Sequence, residues 1–183
     1  MKKIFIATLF ICLTHICAAN AENTYRPYVG ADISFDKAKT SFVKPGYYAA
    51  AFNLGTTYNP YFGTEIFYQQ TTARTKTGST GQNYKTSFRG YGLDAVITAP
   101  VFSQFDVNFS LGLASYVFSE RASGSYRMTD EGIGYRFGIG GTYHLTNRLA
   151  ARLNARYVKF HDISNLKHAA EYSLGLRYYL TEN

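Results

Sequence analysis

The sequence predicts an all-β protein, an eight-stranded antiparallel transmembrane β-barrel behind a cleaved signal peptide. Three observations lead there. Apolar and polar residues alternate in segments of about ten. The connections between these segments are alternately short and long. Beyond the amino-terminal segment, no run of about 18 apolar residues offers a helical span. Composition agrees, because 17 Tyr, 14 Phe and 16 Gly with only 4 Pro suit pleated strands and tight corners.

The amino-terminal segment sets the compartment. Lys2 and Lys3 precede an apolar stretch from Ile4 to Ile16, and Ala19-Asn20-Ala21 supplies small residues for cleavage. Residues 1–21 are therefore expected to leave as a signal peptide and residues 22–183 to form one domain. The stretch is shorter than the roughly 20 residues a helix needs to cross a bilayer. Cys12 and Cys17 both lie within the signal segment 1–21, and neither follows the small residues of a lipoprotein cleavage site. A disulfide framework, a thiolate zinc site and a cysteine nucleophile are thereby excluded from the mature chain. Without Lys2 and Lys3, 17 bases face 12 acids, a net charge of +5. Export weakens the nucleic-acid reading of that charge, and no nucleic-acid partner is expected.

Each strand reads directly from its alternation. Val29, Ala31, Ile33 and Phe35 alternate with Gly30, Asp32 and Ser34; Tyr48, Ala50, Phe52, Leu54 and Tyr58 alternate with Ala49, Asn53, Gly55 and Thr57. Asn59-Pro60 then turns the chain, since Pro cannot donate to a ladder. Next, Phe62, Thr64, Ile66 and Tyr68 oppose Gly63, Glu65, Phe67 and Gln69, and Tyr91, Leu93, Ala95 and Ile97 oppose Gly92, Asp94 and Val96. The fifth and sixth strands set Val107, Phe109, Leu111 and Leu113 against Asn108, Ser110 and Gly112, and Ile133, Tyr135, Phe137 and Ile139 against Gly134, Arg136, Gly138 and Gly140. In the seventh, Leu149, Ala151, Leu153, Ala155 and Tyr157 oppose Arg152, Asn154 and Arg156. In the eighth, Tyr172, Leu174, Leu176 and Tyr178 oppose Glu171, Ser173, Gly175 and Arg177.

Residues 59–61, 99–105 and 145–148 read as short connections, and 36–46, 72–84, 119–131 and 161–168 as long ones. Short periplasmic turns with long outer loops are the pattern of outer-membrane barrels. Lys85 and Arg89 share the parity of the fourth strand's apolar face and are expected above the lipid or beyond a bulge. A soluble sandwich or lipocalin-like barrel also alternates, but its second face carries Lys, Glu and Thr toward water. Here that face carries Gly and isolated charges of both signs, while aromatics gather near the strand ends of the other.

Taken together, the polar faces set Asp32, Glu65, Asp94 and Glu171 against Arg136, Arg152, Arg156 and Arg177. These charges balance, all the bases are Arg, and the guanidinium fork engages several carboxylate oxygens in a confined space. A connected interior network is expected, filling a barrel only wide enough for side chains and acting as a plug against conduction. Gly beside large inward side chains makes room for them.

With these faces laid out, the chain resembles the small OmpA/OmpX/Opa-like family of outer-membrane barrels over its whole mature length. The most specific piece is Ser173-Leu174-Gly175-Leu176-Arg177-Tyr178-Tyr179-Leu180, which resembles the family's assembly signal, polar-x-Gly-x-x-aromatic-x-hydrophobic. Pro27-Tyr28-Val29-Gly30-Ala31-Asp32 is similar to the family's first strand. The resemblance implies insertion into the outer membrane of a Gram-negative cell through the outer-membrane insertion machinery. It also implies a surface role in adhesion, immune evasion or envelope stability. Many members stop at a terminal Phe, whereas Thr181-Glu182-Asn183 follows Leu180 here, and with no peptidoglycan-binding domain after the barrel, wall anchoring is not expected.

Little else points to chemistry. Phe160-His161-Asp162-Ile163-Ser164-Asn165 loosely resembles the His-x-Ser-Asn stretch of outer-membrane lipid A deacylases, but two residues separate His161 from Ser164, and alternation places them on opposite faces. His144, at a periplasmic turn, and His161 and His168, beside the last outer loop, read as solvated rather than as metal ligands. Gly-Ser-Thr-Gly at 78–81 joins no strand to a helix as a phosphate cradle must. No cofactor or metal is expected.

What remains is a basic rim: Lys37, Lys39 and Lys44 on the first outer loop, and Arg74, Lys76 and Lys85 on the second, against a mixed third loop with Glu120, Arg121, Arg127, Asp130 and Glu131. Lys37, Lys39, Lys44, Arg74 and Lys76 are the anion-binding candidates, facing lipopolysaccharide first and a host glycan or protein next. The function that follows is a monomeric, non-enzymatic surface barrel serving envelope integrity or adhesion. The alternatives are a lipid A-modifying enzyme and a small pore.

Overall fold

The computed structural model describes residues 25–40, 46–77, 83–122, 127–163 and 166–181. The expected signal segment, Lys44, the glycines at 78 and 81, Ser164 and Asn165 lie outside them. The strand segments are β1 (Arg26–Thr40), β2 (Gly46–Asn59), β3 (Phe62–Thr71), β4 (Arg74–Thr77), β5 (Asn83–Phe102), β6 (Phe105–Ala122), β7 (Arg127–His144), β8 (Leu149–His161) and β9 (Leu166–Tyr179). β3 and β4 both pair with β5 and differ only by a break at 72–73, so together they make one wall strand of an eight-stranded barrel. Chain neighbours pair antiparallel all the way round, and β1 closes the wall on β9 from Tyr28↔Tyr179 to Thr40↔Leu166.

Three tight turns mark one end. The Asn59 side-chain carbonyl accepts from the backbone N–H of Tyr61 (2.9 Å) and Phe62 (2.8 Å), closing the β2–β3 corner. Thr146 Oγ1 does the same for Arg148 (3.2 Å) and Leu149 (2.9 Å) between β7 and β8, and residues 103–104 join β5 to β6. These side chains replace ladder bonds that the turning backbone has to give up.

The outer face is an aliphatic band between two aromatic rings. Ile33, Leu54, Ile66, Phe109, Leu111, Ile139, Leu153, Leu174 and Leu176 are exposed along the middle. Tyr61, Phe102, Tyr143 and Tyr178 ring the turn end, and Tyr48, Tyr68, Tyr91, Tyr135, Tyr157 and Tyr172 ring the other. Phenols belong where one end of the side chain meets lipid and the other water. At the turn end the Tyr143 hydroxyl donates to Gln104 Oε1 at 2.9 Å.

The expected outer connections are shorter than the sequence suggested, because the strands run past the upper tyrosine ring. Ladder pairs reach Lys39↔His168, Thr77↔Asn83 and Arg121↔Arg127, so Lys37 and Lys39 sit on β1, Arg74 and Lys76 on β4, and Lys85 on β5, not on loops. Above the ring the two faces exchange character. Lys37, Lys39, Lys85, Arg89 and Lys159 point outward and are exposed, while Tyr47, Phe88, Tyr116, Phe118, Phe160 and Leu166 point inward and are buried. The bilayer no longer covers the outside there, and the hydrophobic effect favours an apolar interior instead.

Candidate functional site

The barrel lumen is stacked in three layers. At the turn end a polar vestibule of about 160 Å³ is lined by Arg26, Asn108, Thr142, His144 and Arg177, with His144 Nε2 2.8 Å from Asp106 Oδ2. Asn108 donates to Thr142 Oγ1 at 2.6 Å, and Thr98 donates to Asn108 Oδ1 at 3.0 Å.

Above it lies an ionic layer built from alternate positions of β1, β3, β5, β7, β8 and β9. Arg152 grips Asp32 with one edge of its guanidinium, Nε donating to Oδ1 at 2.8 Å and a terminal nitrogen bonding Oδ2, while its other terminal nitrogen donates to Glu65 Oε2 at 2.6 Å. Asn53 Nδ2 adds a bond to Asp32 at 2.8 Å. Glu65 is the hub, because its Oε2 also accepts from the Tyr28 hydroxyl (2.9 Å) and from Arg177 (3.1 Å). Arg156 donates to Glu171 at 2.7 Å and passes 3.9 Å from Glu65 and 4.0 Å from Asp94. Arg136 lies 3.4 Å from Asp94 and 3.8 Å from Glu171, its guanidinium carbon 3.5 Å over the Phe67 ring. The structure thus brings together all eight charges read from the sequence, each buried.

The even balance of four against four needs correction. Asp36 is a fifth buried acid, 1 % exposed, because β1 continues inward-outward where the sequence suggested a loop. It accepts from the Ser34 hydroxyl (2.9 Å) and from Gln69 Nε2 (2.8 Å), both uncharged. Glycine makes the layer possible. Gly175 pairs with Asp32 on one side and Arg152 on the other, and a Cβ there would overlap the Asp32 carboxylate; Gly112 stands in the same relation to Asp94 and Arg136.

The third layer is apolar and was not read from the sequence. Tyr47, Phe88, Tyr116 and Phe160 pack edge to face, with ring centres 4.9–6.3 Å apart, and the Tyr47 hydroxyl bonds Thr86 at 2.7 Å. A signal was present, since Phe88 shares the parity of Asp94, and Phe160 that of Arg156. Inward parity was equated with polarity, which holds only at lipid depth.

Of the anion-binding candidates, Lys37 and Lys39 are exposed on β1, with the Lys37 ammonium 5.9 Å from the Phe35 ring. Arg74 lies with its guanidinium carbon 5.0 Å over the Tyr48 ring, and Lys76 is placed on β4 by its backbone. β2 therefore separates the two basic groups. His161 is exposed at the end of β8, 3.4 Å from Asp162, whose φ of 62° turns the chain. Among the described residues no group of three His, Cys, Asp or Glu could hold a metal ion.

A family model for the outer membrane protein beta-barrel domain matches residues 5–182. No curated protein matches the sequence significantly. Solved structures that superpose on it include Neisserial surface protein A, with TM-score 0.71 and 19% identity over 83% of this chain and 96% of that one. Ail, the attachment invasion locus protein of Yersinia pestis, solved with the heparin analogue sucrose octasulfate, gives 0.58 and 13%, covering 87% and 100%. The N-terminal β-barrel domain of Pseudomonas aeruginosa OprF gives 0.57 and 13%, covering 82% and 97%. At such identities the likeness is one of fold.

Proposed function

The chain belongs to the family of outer-membrane protein β-barrel domains and resides in the outer membrane of a Gram-negative cell, and on that premise we propose that it is a non-enzymatic surface barrel contributing to envelope integrity. The observation that carries this reading is the filled lumen: an ionic layer keyed by glycines, capped by packed aromatic rings. Side chains that interlock across the bore work against a continuous aqueous path, since an eight-stranded wall is only wide enough for its own side chains to fill. The export signal over residues 1–21, and recognition of Ser173 to Leu180 by the insertion machinery, belong to the same proposal.

Two measurements test it. Purified protein in a planar bilayer gives no large, stable conductance, and steady porin-like steps would overturn the plug. Lipid A incubated with the protein keeps all its acyl chains by mass spectrometry; a shortened product would overturn the non-enzymatic assignment in favour of a deacylase.

Adhesion is the second reading, favoured by the basic outer strand ends of β1, β4 and β5 and by the polyanion bound to Ail, a protein of the same fold. Attachment through Lys37, Lys39, Lys44, Arg74 and Lys76 falls as ionic strength rises, because the screening length shrinks from about 10 Å at 0.1 M to about 3 Å at 1 M. Attachment of displaying cells that ignores both salt and neutralisation of these residues would remove this reading.

A further inference from the structure

The cations above the upper tyrosine ring are unevenly placed. On β6 and β7 the outward charges are mixed, Arg121 and Glu131 both being exposed there. On β8, β9 and β1 the charged outward positions are basic, and among the described residues there the one acid is Asp162, in the turn beside His161. Lys39 pairs with His168 and His168 with Lys159, so the three stand in one row across β1, β9 and β8. Two inter-strand steps separate the end members, roughly 10 Å.

The row sits directly on the aromatic ring. The His168 ring stacks on Tyr157, one step lower on β8, with centres 5.7 Å apart and planes 29° apart. Beside it Lys37 leans on Phe35, Phe35 lies 5.4 Å from Tyr48, and Arg74 covers Tyr48 at 5.0 Å. Cations held against rings at the lipid boundary lie at headgroup depth, not out in the aqueous mouth of the barrel. The anions at that depth, in that leaflet, are the phosphates on the glucosamine disaccharide of lipid A.

We infer that the outer face of β8, β9, β1 and β2 is a seat for one lipid A molecule. Lys39, His168 and Lys159 take one phosphate, Lys37 and Arg74 take the other, and the acyl chains run down over Tyr157, Tyr172 and the aliphatic band. The inference rests on the reading of the chain as a surface barrel in the outer leaflet, and it names the lipid that face holds. Several basic groups converging on one phosphorylated headgroup each add attraction at the membrane surface.

The full mature chain is placed in phosphatidylcholine nanodiscs with bisphosphorylated lipid A or its dephosphorylated form, and retained lipid is counted by native mass spectrometry. The bisphosphorylated form is expected to be retained preferentially. Lys39→Gln with Lys159→Gln should weaken retention roughly tenfold or more. Lys85→Gln with Arg89→Gln, on β5, should leave it unchanged, and all variants should keep the heat-modifiable mobility of a folded barrel.

Equal retention of the two lipids, or an equal loss from the β5 pair, overturns the seat. So does sucrose octasulfate binding to the embedded protein as tightly as lipid A and with the same dependence on Lys39 and Lys159, which would mark a site for soluble polyanions. A barrel that inserts and does not conduct but shows no lipid A preference sinks the seat alone. One that conducts or shortens the lipid sinks the broader reading instead.

Discussion

Arg152 is the side chain whose loss should unsettle the barrel most. It is 2 % exposed and serves three carboxylate oxygens, two on Asp32 and one on Glu65. Arg152→Met keeps most of the volume and removes the charge, leaving two acids facing each other in a buried layer. Breaking a buried pair from one side costs about 3–5 kcal/mol, most of it the desolvation of the stranded partner. Compensation is partial, since Asp32 keeps Asn53 and Glu65 keeps Tyr28 and Arg177. The expected loss is therefore near the lower end, about 3 kcal/mol. Denaturant unfolding in detergent micelles or lipid measures it, with Lys39→Ala as the reference at about 0–1 kcal/mol for a solvated side chain. Adding Asp32→Asn to Arg152→Met should return part of the loss, because one stranded charge disappears. If Arg152→Met matches Lys39→Ala, the ionic layer contributes no net stability and the argument from buried charge fails.

The remaining expectations use the same unfolding assay. Leu111→Arg, in the middle of the aliphatic band, should cost about 2–4 kcal/mol in lipid; a neutral result would place that face away from the membrane. Gly112→Ala should cost about 1–3 kcal/mol by pushing a methyl into the Asp94 carboxylate and the Leu93 carbonyl, and full tolerance would mean the layer is looser than its geometry. Asp36→Asn should change stability by no more than about 1 kcal/mol, since its partners Ser34 and Gln69 are neutral. Asp32→Asn should cost several times as much by stranding Arg152, and equal costs for the two would remove the distinction between a salt-bridged and a hydrogen-bonded acid.

The alternation that names the wall was legible because it is a local property: Val29 to Phe35, or Leu149 to Tyr157, shows its two faces without reference to any other strand. The eight interior charges were legible for the same reason, since parity alone carries Arg152 and Glu65 inward. Their partners were not. That Arg152 reaches Asp32 and Glu65 while Arg156 reaches Glu171 depends on the stagger of β8 against β9 and β1, and stagger follows from closure of the whole barrel. The outer strand ends were missed for a different reason. Lys37, Lys39 and Lys85 break the apolar alternation, and a charge on the lipid face reads as the end of a strand.

That break is where the solvent changes while the strand continues. On β8, Arg156 is inward and ionic, Tyr157 faces the lipid boundary, Val158 and Phe160 are inward and buried, and Lys159 is outward and exposed. On β5 the same exchange runs from Asp94 inside and Tyr91 outside to Phe88 inside and Arg89 outside. Below the tyrosines the lipid solvates the outer face, so the interior holds the polar groups, and those groups gather against one another because they are buried together. Above the tyrosines water solvates the outer face, so the interior is free to bury Tyr47, Phe88, Tyr116 and Phe160 as a soluble barrel would. One wall thus carries two cores of opposite polarity, joined at the depth where the tyrosine hydroxyls meet the headgroups. The basic side chains stand at that junction because it is the first level at which an outward charge is solvated, and also the last at which it still touches the membrane.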